Sequence, residues 1–177
     1  MQDKYLETKW RLAAALNNMA QGLVMIDARG KVLMTNRQYR TMYQLPPDII
    51  GTDTTLRDTL AYRAENGMFA GDIDKFVAVI LDRVATGEPF VTEVAVPDGR
   101  LIRISEQPMD GGGWVATHED FTEQRRAGRI LERTERFLVT VLENVPVAIV
   151  AKDARTLRYT FVNKAAENFS GCRARRS

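Results

Sequence analysis

The 177-residue sequence has little of the side-chain chemistry that disulfides and metal sites require. It contains one cysteine, Cys172, and one histidine, His118. A single cysteine cannot form an internal disulfide, and these two side chains cannot supply the three or four nitrogen and sulfur ligands of a zinc site. The sequence therefore predicts neither a disulfide framework nor a metal centre, and its cysteine usage indicates a reducing compartment.

Long hydrophobic runs are also missing. The first residues, MQDKYLETKW, contain no apolar segment of the kind found in secretory signals. Apolar runs such as 145–151 are far shorter than the roughly 20 residues that a membrane-spanning helix needs. We therefore expect a cytoplasmic protein with no membrane segment in this chain.

Charge is distributed unevenly along the chain. Residues 1–122 carry a net charge of −4 and residues 123–177 a net charge of +6, which give +2 together. A basic C-terminal third could contact nucleic acid, with the basic helix 125–136 as the candidate segment. Glutamates alternate with the arginines there and aromatic residues are scarce, so we favour the solvated face of a charged helix and expect no nucleic-acid partner.

Hydrophobic periodicity and turn residues predict an α+β fold. Asn36 and Thr55 are predicted helix N-caps, and Asp58 would complete a capping box with Thr55. Helices on one face of a five-stranded antiparallel sheet are the predicted architecture. The predicted elements are helix 3–18, strands 22–27 and 31–35, helices 37–43, 55–66 and 73–86, and strands 90–96, 100–109 and 113–119.

A different pattern begins after Asp120. Apolar residues recur there at alternating steps of three and four, which is the spacing of a coiled-coil seam. We favour a coiled-coil helix that pairs with a partner, and an amphipathic helix docked on its own domain stays open as the alternative. The stripe consists of Ala127, Ile130, Leu131, Thr134, Phe137, Leu138, Val141 and Leu142.

The sequence contains an internal repeat. Residues 16–29 align with residues 142–155, with six of the 14 positions identical, and Val32–Asn36 aligns with Tyr159–Asn163. The second copy is too short, at roughly 35 residues, to bury a core of its own. The predicted domains are an N-terminal flanking helix at 1–19, a complete module at 20–122, a linker helix at 123–142, a truncated second module at 143–171 and a tail at 172–177.

Several short motifs, taken in order, resemble the PAS sensor family. The last of them, Asp120-Phe121-Thr122-Glu123, resembles the Asp-Ile-Thr-Glu signature that joins PAS domains to a signalling helix, with Phe121 in place of isoleucine. The similarity covers residues 12–125 as one domain and 138–171 as a partial second domain. The other motifs are Leu23–Asp27 with Gly30, Val32–Asn36, the turn Asp98-Gly99-Arg100, and Gly112-Gly113-Trp114-Val115.

This resemblance implies a non-catalytic sensory and dimerisation module of a bacterial signal-transduction protein. Such modules relay a signal to an output domain of the same polypeptide, here a histidine kinase or a diguanylate cyclase or phosphodiesterase, and we expect a homodimer through the flanking helices. Asp120 can cap the linker helix, and Arg125 or Arg126 could pair with Asp120 or Glu119. The expected signal-transfer residues are Asp120, Phe121, Thr122, Arg125 and Arg126.

The resemblance also limits the cofactor. Haem-binding members take a ligand from the helix before the last three strands, and the predicted helix 73–86 has no histidine. Members that bind flavin covalently need a cysteine in the helical segment, and Cys172 lies outside it. We expect neither group, whereas a non-covalent small ligand stays open. The candidate cleft residues are Met34, Met42, Phe76, Ile80, Ile102, Ile104 and Trp114, each of which could equally belong to the core.

No catalytic constellation emerges from the sequence. Glu106, Glu119 and Asp120 could suggest paired carboxylates, but no nucleophile and base can be assembled around them. We interpret all three as exposed strand charges, and His118 as a structural histidine.

Overall fold

A computed structural model of the chain describes residues 2–49 and 53–170. The predicted α+β fold is confirmed, and the predicted ends of its helices and strands agree with the observed ones to within two residues. The elements are α1 (Gln2–Asn17), β1 (Gly22–Ile26), β2 (Val32–Thr35), α2 (Arg37–Met42), a 3-10 turn (Pro47–Ile49), α3 (Leu56–Glu65), α4 (Ile73–Ala85), β3 (Phe90–Ala95), β4 (Leu101–Pro108), β5 (Trp114–Asp120), α5 (Thr122–Asn144), β6 (Val150–Lys152), β7 (Tyr159–Val162) and α6 (Lys164–Ser170).

The first five strands form one antiparallel sheet with the order β2-β1-β5-β4-β3. The last of them in sequence, β5, therefore lies at the centre, between β1 and β4. Val24 of β1 lies opposite Ala116, and Ile104 of β4 lies opposite His118. This order brings the N-terminal hairpin and the later three-stranded meander into one sheet.

The core lies on one face of this sheet. Side chains of a strand alternate between its two faces, so Trp114 and Ala116 point the same way as Ile102 and Ile104 of β4. The chain that follows β2 covers this face and contributes residues such as Leu60, which is fully buried. The apolar positions seen in the sequence are thus the contacts that hold the helices on the sheet.

Local hydrogen bonds explain where the helices begin. The side chain of Asn36 accepts a hydrogen bond from the backbone N–H of Tyr39, and Thr55 forms the predicted capping box with Asp58. Both predicted N-caps are confirmed. Gly113 before β5 has a φ of +83°, and a Cβ there would lie 2.3 Å from the carbonyl oxygen of Ile26, so only glycine fits.

The chain divides into two compact units, with the second beginning at Gln124. Most of α5 lies in the second unit, which also contains the two-stranded sheet of β6 and β7. Among its described residues, the only buried ones are Asn163 and Ala166. The predicted tail 172–177, with Cys172, lies outside the described residues.

A buried asparagine organises the entry to the first unit. The Oδ1 atom of Asn36 accepts hydrogen bonds from the backbone N–H groups of Leu23 and Tyr39, at 2.8 and 2.9 Å. Its Nδ2 group donates to the carbonyls of Leu16 and Gln21. One side chain thus ties the end of α1, the first strand and α2 together.

Asn163 does the same in the second unit. Its Oδ1 atom accepts from the N–H groups of Ile149 and Ala166, and its Nδ2 group donates to the carbonyls of Leu142 and Val147. These partners stand at the positions that the sequence repeat aligns with those of Asn36. The two copies therefore share a hydrogen-bond pattern as well as residues.

The replacement Asn36→Ala should destabilise the first unit by at least about 2 kcal/mol, because it leaves buried backbone groups without partners. Urea unfolding followed by tryptophan fluorescence measures this, since both tryptophans, Trp10 and Trp114, lie in the first unit. The matched replacement Asn163→Ala should leave the same transition unchanged. Equal midpoints for Asn36→Ala and the wild type would contradict the assigned role.

Candidate functional site

A cavity of about 460 Å³ lies against the inner face of the sheet. It is lined by residues of β1, β3, β4 and β5, by α3 and α4, and by the segment that joins these two helices. Four of the predicted cleft residues line it, namely Phe76, Ile80, Ile104 and Trp114.

The other three predicted cleft residues lie elsewhere. Met42 and Ile102 are buried in the hydrophobic core and do not line the cavity. Met34 lies opposite Met25 in the β1–β2 pair. Because Met25 alternates with the core residues Val24 and Ile26, this pair lies on the sheet face away from the cavity.

Polar side chains that sequence reasoning did not select also line the cavity. They are Tyr39, Arg63, Asp72, Lys75, Glu106 and His118. The prediction that Glu106 is an exposed strand charge is wrong, because the residue is only 6% exposed. Ile102, Ile104 and Glu106 occupy every second position of β4 and therefore point to the same face of the sheet. This spacing was the sequence signal that could have identified Glu106.

His118 is held by two tyrosines. Its Nδ1 atom lies 2.7 Å from the hydroxyl oxygen of Tyr43, and its ring packs edge-on against those of Tyr39 and Tyr43. Burial lowers the pKa of His118 to about 3, and the nearby charge of Arg63 acts in the same direction. The imidazole is therefore neutral near pH 7 and acts as an anchored wall of the cavity.

Arg63 places a buried cation at the cavity. It is 5% exposed, and its guanidinium lies 3.6 Å from the centre of the Tyr43 ring. Its Nε atom has no hydrogen-bond partner. Arg63 follows Leu56 and Leu60 at helical spacing, so it occupies the inward stripe of α3.

Glu106 is the second polar side chain of the cavity with an atom that forms no hydrogen bond. Its Oε2 atom is buried and has no hydrogen-bond partner. Burial raises the pKa of Glu106 to about 7, and the charge of Arg83 opposes this shift only in part. Near neutral pH a large share of the side chain is therefore protonated and able to donate a hydrogen bond.

The junction between β5 and α5 is closely bonded to the start of β4. The backbone N–H of Phe121 donates to the carbonyl of Leu101 at 3.0 Å, and Thr122 Oγ1 accepts from the Leu101 N–H at 2.8 Å. Asp120 Oδ1 accepts from the N–H and the hydroxyl of Thr122. Phe121 is 5% exposed and lies under the guanidinium of Arg103.

An ion pair at this junction also involves an arginine of the sheet. Glu119 pairs with Arg103 of β4 at 3.6 Å. Adjacent strands place Arg103 opposite Glu119, and this register is not evident from the sequence. Arg125 is exposed on α5.

The part of the chain that the structure describes contains neither a metal-binding cluster nor a helix that could cross a bilayer. Within residues 2–49 and 53–170, no group of three His, Cys, Asp or Glu side chains could hold a metal ion. None of the helices described there combines the length and hydrophobicity that crossing a bilayer requires.

The fold is that of a small α+β domain with an internal cavity, and comparison with known proteins specifies its family. A family model described as PAS fold matches residues 16–129, and a second, described as PAS domain, matches residues 136–177. The chain belongs to the PAS family, which confirms the resemblance seen in the sequence. PAS domains are generally non-catalytic sensory modules of signal-transduction proteins.

The chain is similar to several individual proteins. The chain is 33% identical over 129 residues to the Non-motile and phage-resistance protein of Caulobacter vibrioides, a match that covers 72% of this chain and 14% of that protein. The PAS domain of Bordetella pertussis BvgS has the same fold, with a TM-score of 0.53, 17% identity, and coverage of 73% of this chain and 98% of that one. A domain of a Geobacter sulfurreducens sensory box sensor histidine kinase/response regulator aligns with a TM-score of 0.46 and 20% identity, over 66% of this chain and 96% of that one.

The replacement Glu106→Gln should change how stability depends on pH. The folded protein keeps the Glu106 proton up to about pH 7, whereas the unfolded chain releases it near 4.5. The native state thus binds more protons in this window, and the wild type loses stability there as pH rises. Glutamine does not titrate, so the stability of the variant relative to the wild type should rise by about 1–3 kcal/mol between roughly pH 5 and pH 8.

Urea unfolding of the wild type and of Glu106→Gln at the two pH values measures this difference. The contribution of His118 is the same in both proteins and therefore cancels. Glu65→Gln, at an exposed position of α3, is the control and should show no such trend. A constant difference between wild type and Glu106→Gln would show that Glu106 titrates normally.

Proposed function

We propose that this chain is a non-catalytic sensory and dimerisation module that relays a ligand or conformational signal into α5. The signal leads from the cavity through Asp120, Phe121 and Thr122 toward an output domain of the same polypeptide, a histidine kinase or a diguanylate cyclase or phosphodiesterase. As the sequence predicts, we expect the module to work in the cytoplasm.

The observation that carries this proposal is that the cavity and the junction share two paired strands. Ile104 and His118 lie opposite each other and both line the cavity. Two residues along, Ile102 lies opposite Asp120. A displacement of the cavity wall therefore has a short path along β4 and β5 to Asp120, two residues before α5 begins.

The bonds of Leu101 explain how a displacement would reach the helix. Its carbonyl and N–H groups are bonded to Phe121 and Thr122, so the start of β4 and the start of α5 must move together. Arg125 and Arg126, about one turn into α5, would then change their surroundings as the helix moves. This connection supports the proposed signal-transfer role of these residues.

The length of a relative supports an output domain beyond the sensory module. The 129 matched residues are only 14% of the Caulobacter vibrioides protein, so a module of this kind is joined there to much more chain. The sequence resemblance to PAS regions of sensory histidine kinases and cyclic-di-GMP enzymes suggests the output classes named above.

Exposed apolar side chains support dimerisation through the flanking helices. On α5, Ile130 is 67% exposed and Phe137 65% exposed, two turns apart on the predicted stripe. Trp10 on α1 is 71% exposed. Apolar residues repeated on one helix face favour a partner helix, and PAS domains commonly dimerise. The basic segment needs no nucleic acid, since Arg136 pairs with Glu132 along the helix.

The relay can be tested by filling the cavity. Ala116→Leu places a larger side chain in it and should alter amide hydrogen exchange at residues 122–130 of the full chain by at least about twofold, because the strand shift reaches α5. Adding Thr122→Val removes the acceptor of the Leu101 N–H and should abolish this response. Thr134→Val, an exposed threonine on α5 that bonds only within its helix, is the control and should preserve the response. Identical exchange at α5 in wild type and Ala116→Leu would refute the relay.

The dimer can be tested by sedimentation of the full chain. The wild type should sediment as a dimer, whereas the double replacement Ile130→Ser and Phe137→Ser should give a monomer with unchanged helix content, because the seam loses its apolar contacts. Val139→Ser, at a 50% exposed position on the opposite face of α5, should remain dimeric. A wild type that stays monomeric at high concentration would rule out pairing through these helices.

A further inference from the structure

Two buried polar atoms of the cavity have no hydrogen-bond partner. They are Nε of Arg63 and Oε2 of Glu106, in side chains that are 5% and 6% exposed. Both residues line the cavity. A protein leaves such atoms unpaired at a cost, and sites that bind a ligand are where this cost is usually retained.

Arg63 also lacks a countercharge. No carboxylate lies within ion-pair distance of its guanidinium in the part of the chain that the structure describes. Its neighbours are the rings and hydroxyls of Tyr39 and Tyr43, which are neutral because burial raises the pKa of both phenols. An unpaired buried cation is costly, and an anion entering the cavity would remove that cost.

Glu106 does not provide this anion. It forms no ion pair with Arg63, and burial keeps much of it protonated near neutral pH. A protonated carboxyl is a hydrogen-bond donor. Lys75 and Asp72, which also line the cavity, pair with each other at 3.8 Å and their charges offset. The cavity therefore presents an N–H donor and an O–H donor together with the uncompensated positive charge of Arg63.

The other walls are largely apolar. Their lining residues include Ile26, Phe69, Phe76, Ile80 and Trp114, and the space of about 460 Å³ has room for a ring or a short alkyl chain. Phe69 and Phe76 pack edge to face, with ring centres 5.3 Å apart. These walls favour the body of a hydrophobic molecule over a sugar or a nucleotide.

We propose that the cavity binds a small monocarboxylate with an apolar body, whose carboxylate accepts hydrogen bonds from Arg63 Nε and from the protonated side chain of Glu106. The inference rests on the proposed sensory function and names its ligand class. Amines are disfavoured by the charge of Arg63, and neutral molecules leave that charge uncompensated.

Calorimetric titration of the full chain tests the ligand class with matched pairs of probes. Phenylacetate and hexanoate carry the carboxylate, and phenylacetamide and hexanamide carry the same bodies without charge. We expect at least one acid to bind about tenfold or more tightly than its amide, since a charge-assisted hydrogen bond to arginine is lost in the amide.

Variants locate the site. Arg63→Met should weaken binding of the acid about tenfold and leave that of the amide unchanged. Arg57→Met on the same helix is the control, because Arg57 is exposed and pairs with Asp74. Should Arg63→Met fail to fold, Glu106→Leu serves instead, since it removes a donor and should also weaken the acid, whereas Glu106→Gln keeps a donor and should not.

Each outcome has a distinct meaning. Amides that bind as tightly as their acids would overturn the carboxylate inference and leave a sensory cavity in place. Acid binding that survives both Arg63→Met and Glu106→Leu would place it elsewhere and also overturn the inference. Absence of binding by every probe at millimolar concentration would overturn it as well, while the response of α5 to Ala116→Leu decides the sensory function independently.

Discussion

The pairing of β5 with both β1 and β4 is the constraint on which the rest of the structure depends. This strand closes the sheet, and its inward residues Trp114, Ala116 and His118 form one wall of the cavity. It ends at Asp120, two residues before α5 begins. A register shift of one residue would exchange His118 for Thr117 on the inner face and would displace the helix junction at the same time. Cavity and junction are therefore fixed by a single set of strand hydrogen bonds.

Around this strand the protein keeps polar groups where an apolar core would be more stable. His118 forms a hydrogen bond with the hydroxyl of Tyr43, and burial lowers its pKa so that the imidazole stays neutral. Glu106 responds to the same physics in the opposite direction, because burial favours the protonated form of an acid. Arg63 carries a charge that no neighbouring carboxylate compensates. The buried polar groups are thus concentrated at the cavity, where a bound ligand can offset the free-energy cost of burying them.

The sequence was sufficient for features that depend on local patterns. Helix caps such as Asn36 and the alternation of strands depend on near neighbours, and the buried apolar residues Ile104 and Trp114 follow from hydrophobicity. Arg63 and Glu106 were missed for a physical reason, since charged side chains are usually exposed and residue type outweighed their inward positions. Strand register and the three-dimensional position of the cavity depend on contacts distant in sequence, which local patterns do not contain.

The repeated asparagines hold the ends of α1 and α5 in the same way. In each copy the asparagine bonds a carbonyl near the end of the preceding helix, Leu16 for Asn36 and Leu142 for Asn163. The start of α5 is bonded to β4 through Thr122, so the helix is attached to a sheet at both ends. Its 23 residues span about 35 Å at 1.5 Å per residue. In the proposed relay, a helix held in this way would transmit rotation or tilt along its length, whereas a flexible linker would dissipate it. The second copy would then be the next receiver of the signal.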